Sequence, residues 1–245
     1  MFRILAAASL GLATIVALPA DTAIAHGKWH SKLDDGQPIS QDWARTGRFD
    51  SVVLAGADNL TVTRGDRWQI RASGSSQVLA ELRFLVEDGK ITIGRRHRHD
   101  RIDGTARIEI IAPAVEDVVL AGSGNLSVDA MNGEDIGATV AGSGTIDIRR
   151  VQASELKATI AGSGDLHIAG QADDGKITIA GSGDIHGRGL RVGRANVTIA
   201  GSGDARFHAD GRVSASIVGS GGAVVTGTTD CSQTRMGSGR LTCTR

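Results

Sequence analysis

Through the C-terminal half of the chain, apolar residues alternate with small or polar ones in short runs, and each run is broken by one tripeptide. Gly-Ser-Gly begins at Gly122, Gly142, Gly162, Gly181, Gly201, Gly219 and Gly237, so successive copies lie 20, 20, 19, 20, 18 and 18 residues apart. Two residues before the first Gly stand Leu120, Val140, Ile160, Ile179, Ile199, Ile217 and Arg235. Four residues after it stand Leu126, Ile146, Leu166, Ile185, Ala205, Ala223 and Leu241. Alternation is the period of a strand with one buried face, and the helical spacings of three and four are missing. Each repeat therefore predicts strand, glycine corner, strand and connecting loop. Stacking such coils buries a continuous apolar column that no single coil could bury. The expected fold is all-β, a parallel β-solenoid or β-helix with coils of 18–20 residues.

The corner and the loops carry the first candidate chemistry. Glycine suits a sharp bend because it accepts positive φ and close backbone approach. The residue after the corner is Asn125, Thr145, Asp165, Asp184, Asp204, Gly222 and Arg240. At a strand spacing of about 5 Å, Asp165, Asp184 and Asp204 would stack as a possible calcium column. The simpler reading is that Asn, Asp and Thr all satisfy nearby turn backbone through a side-chain oxygen. Beyond calcium, no cofactor is suggested. From six residues before the first Gly to six after, the repeat keeps a constant length, and the connecting loop absorbs the variation with 7, 7, 6, 7, 5 and 5 residues. That variable edge is where a repeat protein places a binding surface.

The preceding residues predict a start and a cover for the stack. Residues 1–25 read as a secretory signal peptide: Arg3, an apolar run from Ile4 to Ala17, then Ala23-Ile24-Ala25 at the cleavage point. Residues 26–47 have no period and read as a polar lead-in. The solenoid domain is expected over 48–245, with an N-terminal β portion at 48–112 and the repeats at 113–245. Within the former, Ala55–Val62 resembles Ala121–Val128 and reads as a decayed first corner. Val78–Leu82 suggests a helical turn, Arg83–Val86 and Lys90–Ile93 a hairpin about Glu87-Asp88-Gly89, and Ala106–Ile111 a strand stopped at Pro113. Such a portion would cover an open strand edge that otherwise invites aggregation.

Composition narrows the function classes. With 27 Lys plus Arg against 27 Asp plus Glu the chain is neutral, which gives no support for nucleic-acid binding. No apolar stretch outside the leader is long enough to span a membrane, so no anchor is expected once the leader is removed. The chain is read as exported, to the periplasm or the cell surface. The densest charge cluster, Arg95-Arg96-His97-Arg98-His99, could hold an anion or a metal, or form a solvated tip. On the variable edge, Arg149, Arg150, Arg188, Arg191 and Arg194 could line a groove for an acidic polymer. Equally, they could pair with the intervening Asp173 and Asp174 as a charge ladder. Cys231 lies six residues before Gly237 and Cys243 six after it, in columns that are otherwise inward-facing. In an oxidising compartment they are expected to bridge the last coil.

The pattern [I/L/V]-[A/V]-G-S-G-[D/N/T]-[L/I/A], after an opening such as Phe49–Leu54 and a hairpin such as Val86–Ile93, resembles the head GIN domain family, named for an auto-transporter adhesin head. The resemblance covers about residues 48–245. It implies a right-handed β-helix-like fold in an exported bacterial protein, and no established reaction, substrate or site residue. The first functional expectation is a non-catalytic envelope or surface module, structural or binding a glycan, an envelope polymer or a protein. The second is a carbohydrate-active enzyme, because long β-helices can hold polysaccharides in a groove. Such an enzyme needs convergent carboxylates. Oligomeric state is left open.

Overall fold

The computed structural model describes residues 33–96 and 102–245. The expected signal peptide lies outside the described residues. The repeats form a parallel solenoid in which every Gly-Ser-Gly corner sits on the corner before it. Strands β3 (Ser51–Gly56), β4 (Asn59–Arg64), β9 (Asp117–Gly122), β10 (Asn125–Val128), β11 (Met131–Gly142), β12 (Thr145–Gly162), β13 (Asp165–Gly181) and β14 (Ile185–Gly201) build most of the stack. It continues through β15 (Asp204–Ala209), β16 (Val213–Gly219), β17 (Gly222–Thr226), β18 (Cys231–Gly237) and β19 (Arg240–Thr244). Gly56, Gly122, Gly142, Gly162, Gly181, Gly201, Gly219 and Gly237 are mutually in register. Ala55–Val62 is therefore a true corner, as expected from its likeness to Ala121–Val128.

Two features explain why the corner needs both glycines. Gly162 has φ +135, and its carbonyl accepts N–H bonds from Ser182 (2.9 Å) and Gly183 (3.2 Å) of the next coil. Only glycine holds that angle cheaply. The third residue faces a packing limit: a Cβ on Gly164 would run into the carbonyl of Gly144 and lie 2.7 Å from Val140 Cγ1. The inward columns on either side, including Ile160, Leu166, Ile179 and Ile185, are fully buried.

The connecting segments differ from the loops expected. Residues 149–155, 169–174 and 189–194 continue as strand and pair coil to coil, Val151 with Gly170 and Gly170 with Leu190. They form a third face, with Met131, Val151, Leu190 and Val192 turned inward and buried. Coils of unequal length are reconciled by register shifts just before this face, between Ile148 and Val151, His167 and Ala169, and Gly187 and Arg191. A bulge absorbs an extra residue without breaking the ladder. Sequence spacing located the length variation and missed that the segment is sheet, because Gly170 and Ala172 replace larger inward residues and blur the alternation.

At the N-terminal end the chain doubles back. Strand β7 (Lys90–Arg95) pairs in parallel with β3, and β8 (Arg107–Ala112) with β4, so this later coil lies outside the first one. Over it run β5 (Gln69–Ser73), antiparallel to β8, and β6 (Leu82–Glu87), antiparallel to β7 as the expected hairpin. Helix α1 (Ser76–Glu81) links them, with the Ser75 hydroxyl accepting from Val78 N at 3.3 Å as an N-cap. The outer edges of β6 and β5 are met by the two-residue β1 (Gln37–Pro38) and β2 (Ala44–Arg45). In the segment read as a polar lead-in, Leu33 and Ile39 are buried against this cap. Antiparallel strands of falling length finish the sheet and leave little edge for another chain. Among the described residues no helix is long and apolar enough to cross a membrane.

The C-terminal end is closed differently. Cys231 on β18 and Cys243 on β19 form a disulfide across the last coil. Gln233 Oε1 accepts the Leu241 N–H at 2.8 Å, and Arg235 replaces the buried Ile217 of the coil beneath. Polar side chains thus stand where the apolar column stops.

Candidate functional site

The charged residues singled out in the sequence are distributed by the fold into different roles. Asp58 occupies the third corner position of the first coil and is fully buried. Its carboxylate accepts two bonds from the Arg95 guanidinium (2.6 and 2.9 Å) and one from Ala106 N (2.7 Å). Arg95 also donates to the carbonyls of Ile102 and Gly104. The hydrogen bond to Asp58 raises the Arg95 pKa above its ordinary value, against the opposing pull of burial. Arg96 pairs with Glu81 of α1 at 3.2 Å. Both arginines brace the cap, which is what a buried carboxylate requires of its neighbours. His97, Arg98 and His99 lie outside the described residues.

The arginines of the repeats fall on or beside the third face. Arg149 reaches Asp129 (3.1 Å), Arg194 reaches Asp174 (2.8 Å), and Arg191 reaches both Asp210 (3.3 Å) and His208 (3.0 Å). Cross-coil pairing is therefore real for these three. Arg150 and Arg188 are exposed and, among the described residues, carry no such pair. Exposed pairs contribute little to stability, and their value is to fix side-chain direction.

The strands before the corner form the first face and those after it the second, and the Asp column runs up the second as a hydrogen-bonded ladder. Asp165 Oδ1 accepts from Asp184 N (3.3 Å), Asp184 Oδ1 from Asp204 N (2.7 Å), and Asp204 Oδ1 from Gly222 N (2.8 Å). Arg206 pairs with Asp204 at 3.3 Å. Backbone satisfaction, the simpler reading, accounts for one oxygen of each carboxylate. Two residues along, His167 and His186 stack with ring centroids 4.6 Å apart. Their partnership is invisible along the chain, because residues 19 apart become neighbours only once the coils are aligned.

A concavity lies on the third face. It encloses about 470 Å³ and spans five successive coils from Gly133 to Asp210. Small residues at Gly133, Ala153, Ala172 and Gly193 keep it open, while Gln152, Gln171 and Arg191 lie in register along it. Amides offer both donors and acceptors, and the guanidinium adds fixed donors. Asp173 and Asp210 supply carboxylates at the same site. Asp117, whose carboxyl is pushed up chiefly by burial, lies on the first face, where the Ser51 hydroxyl donates to it at 3.1 Å.

Comparison with known proteins places this architecture. A putative adhesin from Bacteroides fragilis superposes with TM-score 0.75 at 18% identity, covering 82% of this chain and 95% of that one. A putative lipid binding protein from Parabacteroides distasonis gives 0.67 at 21%, covering 86% and 98%. A putative adhesin from Parabacteroides merdae gives 0.66 at 18%, with the same coverage of 86% and 98%. At these identities the likeness is one of fold. No curated protein matches the chain. The family model described as "Putative auto-transporter adhesin, head GIN domain" matches residues 48–229, and with the glycine corners and coils laid out above, the chain belongs to that family.

Proposed function

We propose that this protein is an exported, non-catalytic binding module that holds an extended glycan or envelope polymer along its third face. The observation that carries this reading is the groove itself: five coils long, floored by small residues and lined by Gln152, Gln171 and Arg191 in register. Coils repeat every 4.8 Å or so, close to the advance per sugar in an extended chain, so each coil can address one unit through similar hydrogen bonds. The Cys231–Cys243 bridge fits an oxidising compartment outside the cytoplasm. A structural neighbour is described as a lipid binding protein, and the polar lining favours a hydroxyl-rich polymer over an acyl chain. A glycosidase reading would need two carboxylates free to act as acid and base. In the groove Asp210 is instead engaged by Arg191 and His208.

The test is retention of the purified chain on a panel of bacterial and host polysaccharides, with new reducing ends assayed in parallel. Retention without new ends, reduced at least tenfold in the Gln152→Ala/Gln171→Ala double variant, is the expected result. Release of sugar ends would overturn the non-catalytic assignment, and retention indifferent to the variant would overturn the groove.

A further inference from the structure

The second face carries a different constellation, independent of the groove. Asp165 stands at the start of β13, Asp184 just before β14, and His186 on β14. One ligand atom from each lies within 4.8 Å of the other two, and all three side chains are half-buried. The two carboxylates stand side by side in the ladder. Elsewhere on the stack cross-coil carboxylates are matched by guanidinium groups, as at Asp129, Asp174 and Asp230. Among the described residues, Asp165 and Asp184 have no cation within ion-pair distance, and the nearby Arg206 is paired with Asp204. Each spends Oδ1 on a backbone N–H of the next coil, which fixes its direction and leaves Oδ2 uncommitted. His186 is restrained as well, its ring stacked on His167 with an interplanar angle of 19°.

We propose that Asp165, Asp184 and His186 form a binding site for a borderline divalent cation such as zinc. Two negative oxygens and one imidazole nitrogen match the donor set of a three-ligand zinc site that keeps an open position. Imidazole selects zinc, copper and nickel over calcium and magnesium, so the preference differs from that of an all-carboxylate column. Ligands about 2.0–2.2 Å from a tetrahedral ion stand about 3.3 Å apart. The three ligand atoms already stand within 4.8 Å of one another, and the backbone ladder holds the residues that carry them in adjacent coils. The cation would neutralise the paired carboxylates, clasp β13 to β14, and offer its remaining positions to water or to an external carboxylate or imidazole.

The experiment is calorimetric titration of the full chain with zinc sulfate, repeated with calcium chloride. His186→Gln, Asp184→Asn and His97→Ala/His99→Ala are titrated alongside. Asn retains the oxygen that accepts the Asp204 N–H, and thermal melts confirm that each variant is folded. Zinc binding weakened at least tenfold in His186→Gln and in Asp184→Asn, retained in the His97/His99 variant and weakened on acidification, is the expected result. Cobalt substitution then gives an independent readout, a visible d–d spectrum lost in His186→Gln. No zinc binding, binding unchanged in both cluster variants, or a preference for calcium would overturn the proposal.

Discussion

Gly162 and Gly164 show how single residues set the corner. The first needs positive φ to turn its carbonyl up the stack, and the second needs the space that a Cβ would take from Gly144. Gly162→Ala and Gly164→Ala are each expected to cost about 3 kcal/mol, from backbone strain in one case and overpacking in the other. Ser163→Ala, at the exposed middle position, should change little. Chemical denaturation of the three variants checks this. Asp117 makes a second residue-scale prediction. Burial raises its pKa in the folded state, so its carboxylate form costs stability at neutral pH and its protonated form does not. Stability from this group is complete below the unfolded carboxylate pKa and is lost as pH rises through the raised folded value. Asp117→Asn should therefore melt higher than wild type at pH 7, and the difference should shrink on acidification. The need for glycine was legible from the repeat; the burial of Asp117 was not, since it depends on packing between coils.

At the scale of elements, the two ends of the stack differ in what holds them. The N-terminal end uses buried chemistry: Asp58 with Arg95, α1 and four antiparallel strands. The hairpin of β6 and β7 was readable from its Glu87-Asp88-Gly89 turn. The coil formed by β7 and β8 was not, because it has no Gly-Ser-Gly corner, Arg95 following Gly94 where Gly56 follows Ala55, and it stacks outside β3, against sequence order. Arg95 and Arg96 looked like ligand-binding residues for the same reason: their partners Asp58 and Glu81 are 37 and 15 residues away. The C-terminal end uses a covalent link whose spacing was fully visible in the columns. Cys231→Ser/Cys243→Ser should lose about 3 kcal/mol, the chain-entropy contribution of a loop this short. Amide hydrogen exchange should show that loss as faster opening of β18 and β19, with the central coils unchanged.

For the whole molecule, eight corners in register make a rod with three faces, and the faces are chemically distinct. The first is small and hydroxyl-bearing, with Thr139, Thr159, Thr178 and Thr198 aligned. The second carries the Asp and His ladders, and the third the amide-lined groove. Periodicity in the sequence revealed the rod and its variable edge. It did not reveal that this edge is a sheet with a depression, because small residues there serve both the inward packing and the open surface. If a polymer lies along the groove, binding free energy must accumulate coil by coil. The decisive measurement is affinity against oligosaccharide length, using a polysaccharide that the protein retains. Affinity should rise with each added unit up to about five, the number that fits five coils at about 4.8 Å each, and then level off. Affinity already complete with a terminal mono- or disaccharide would mean that the chain captures ends, and would contradict binding along the groove.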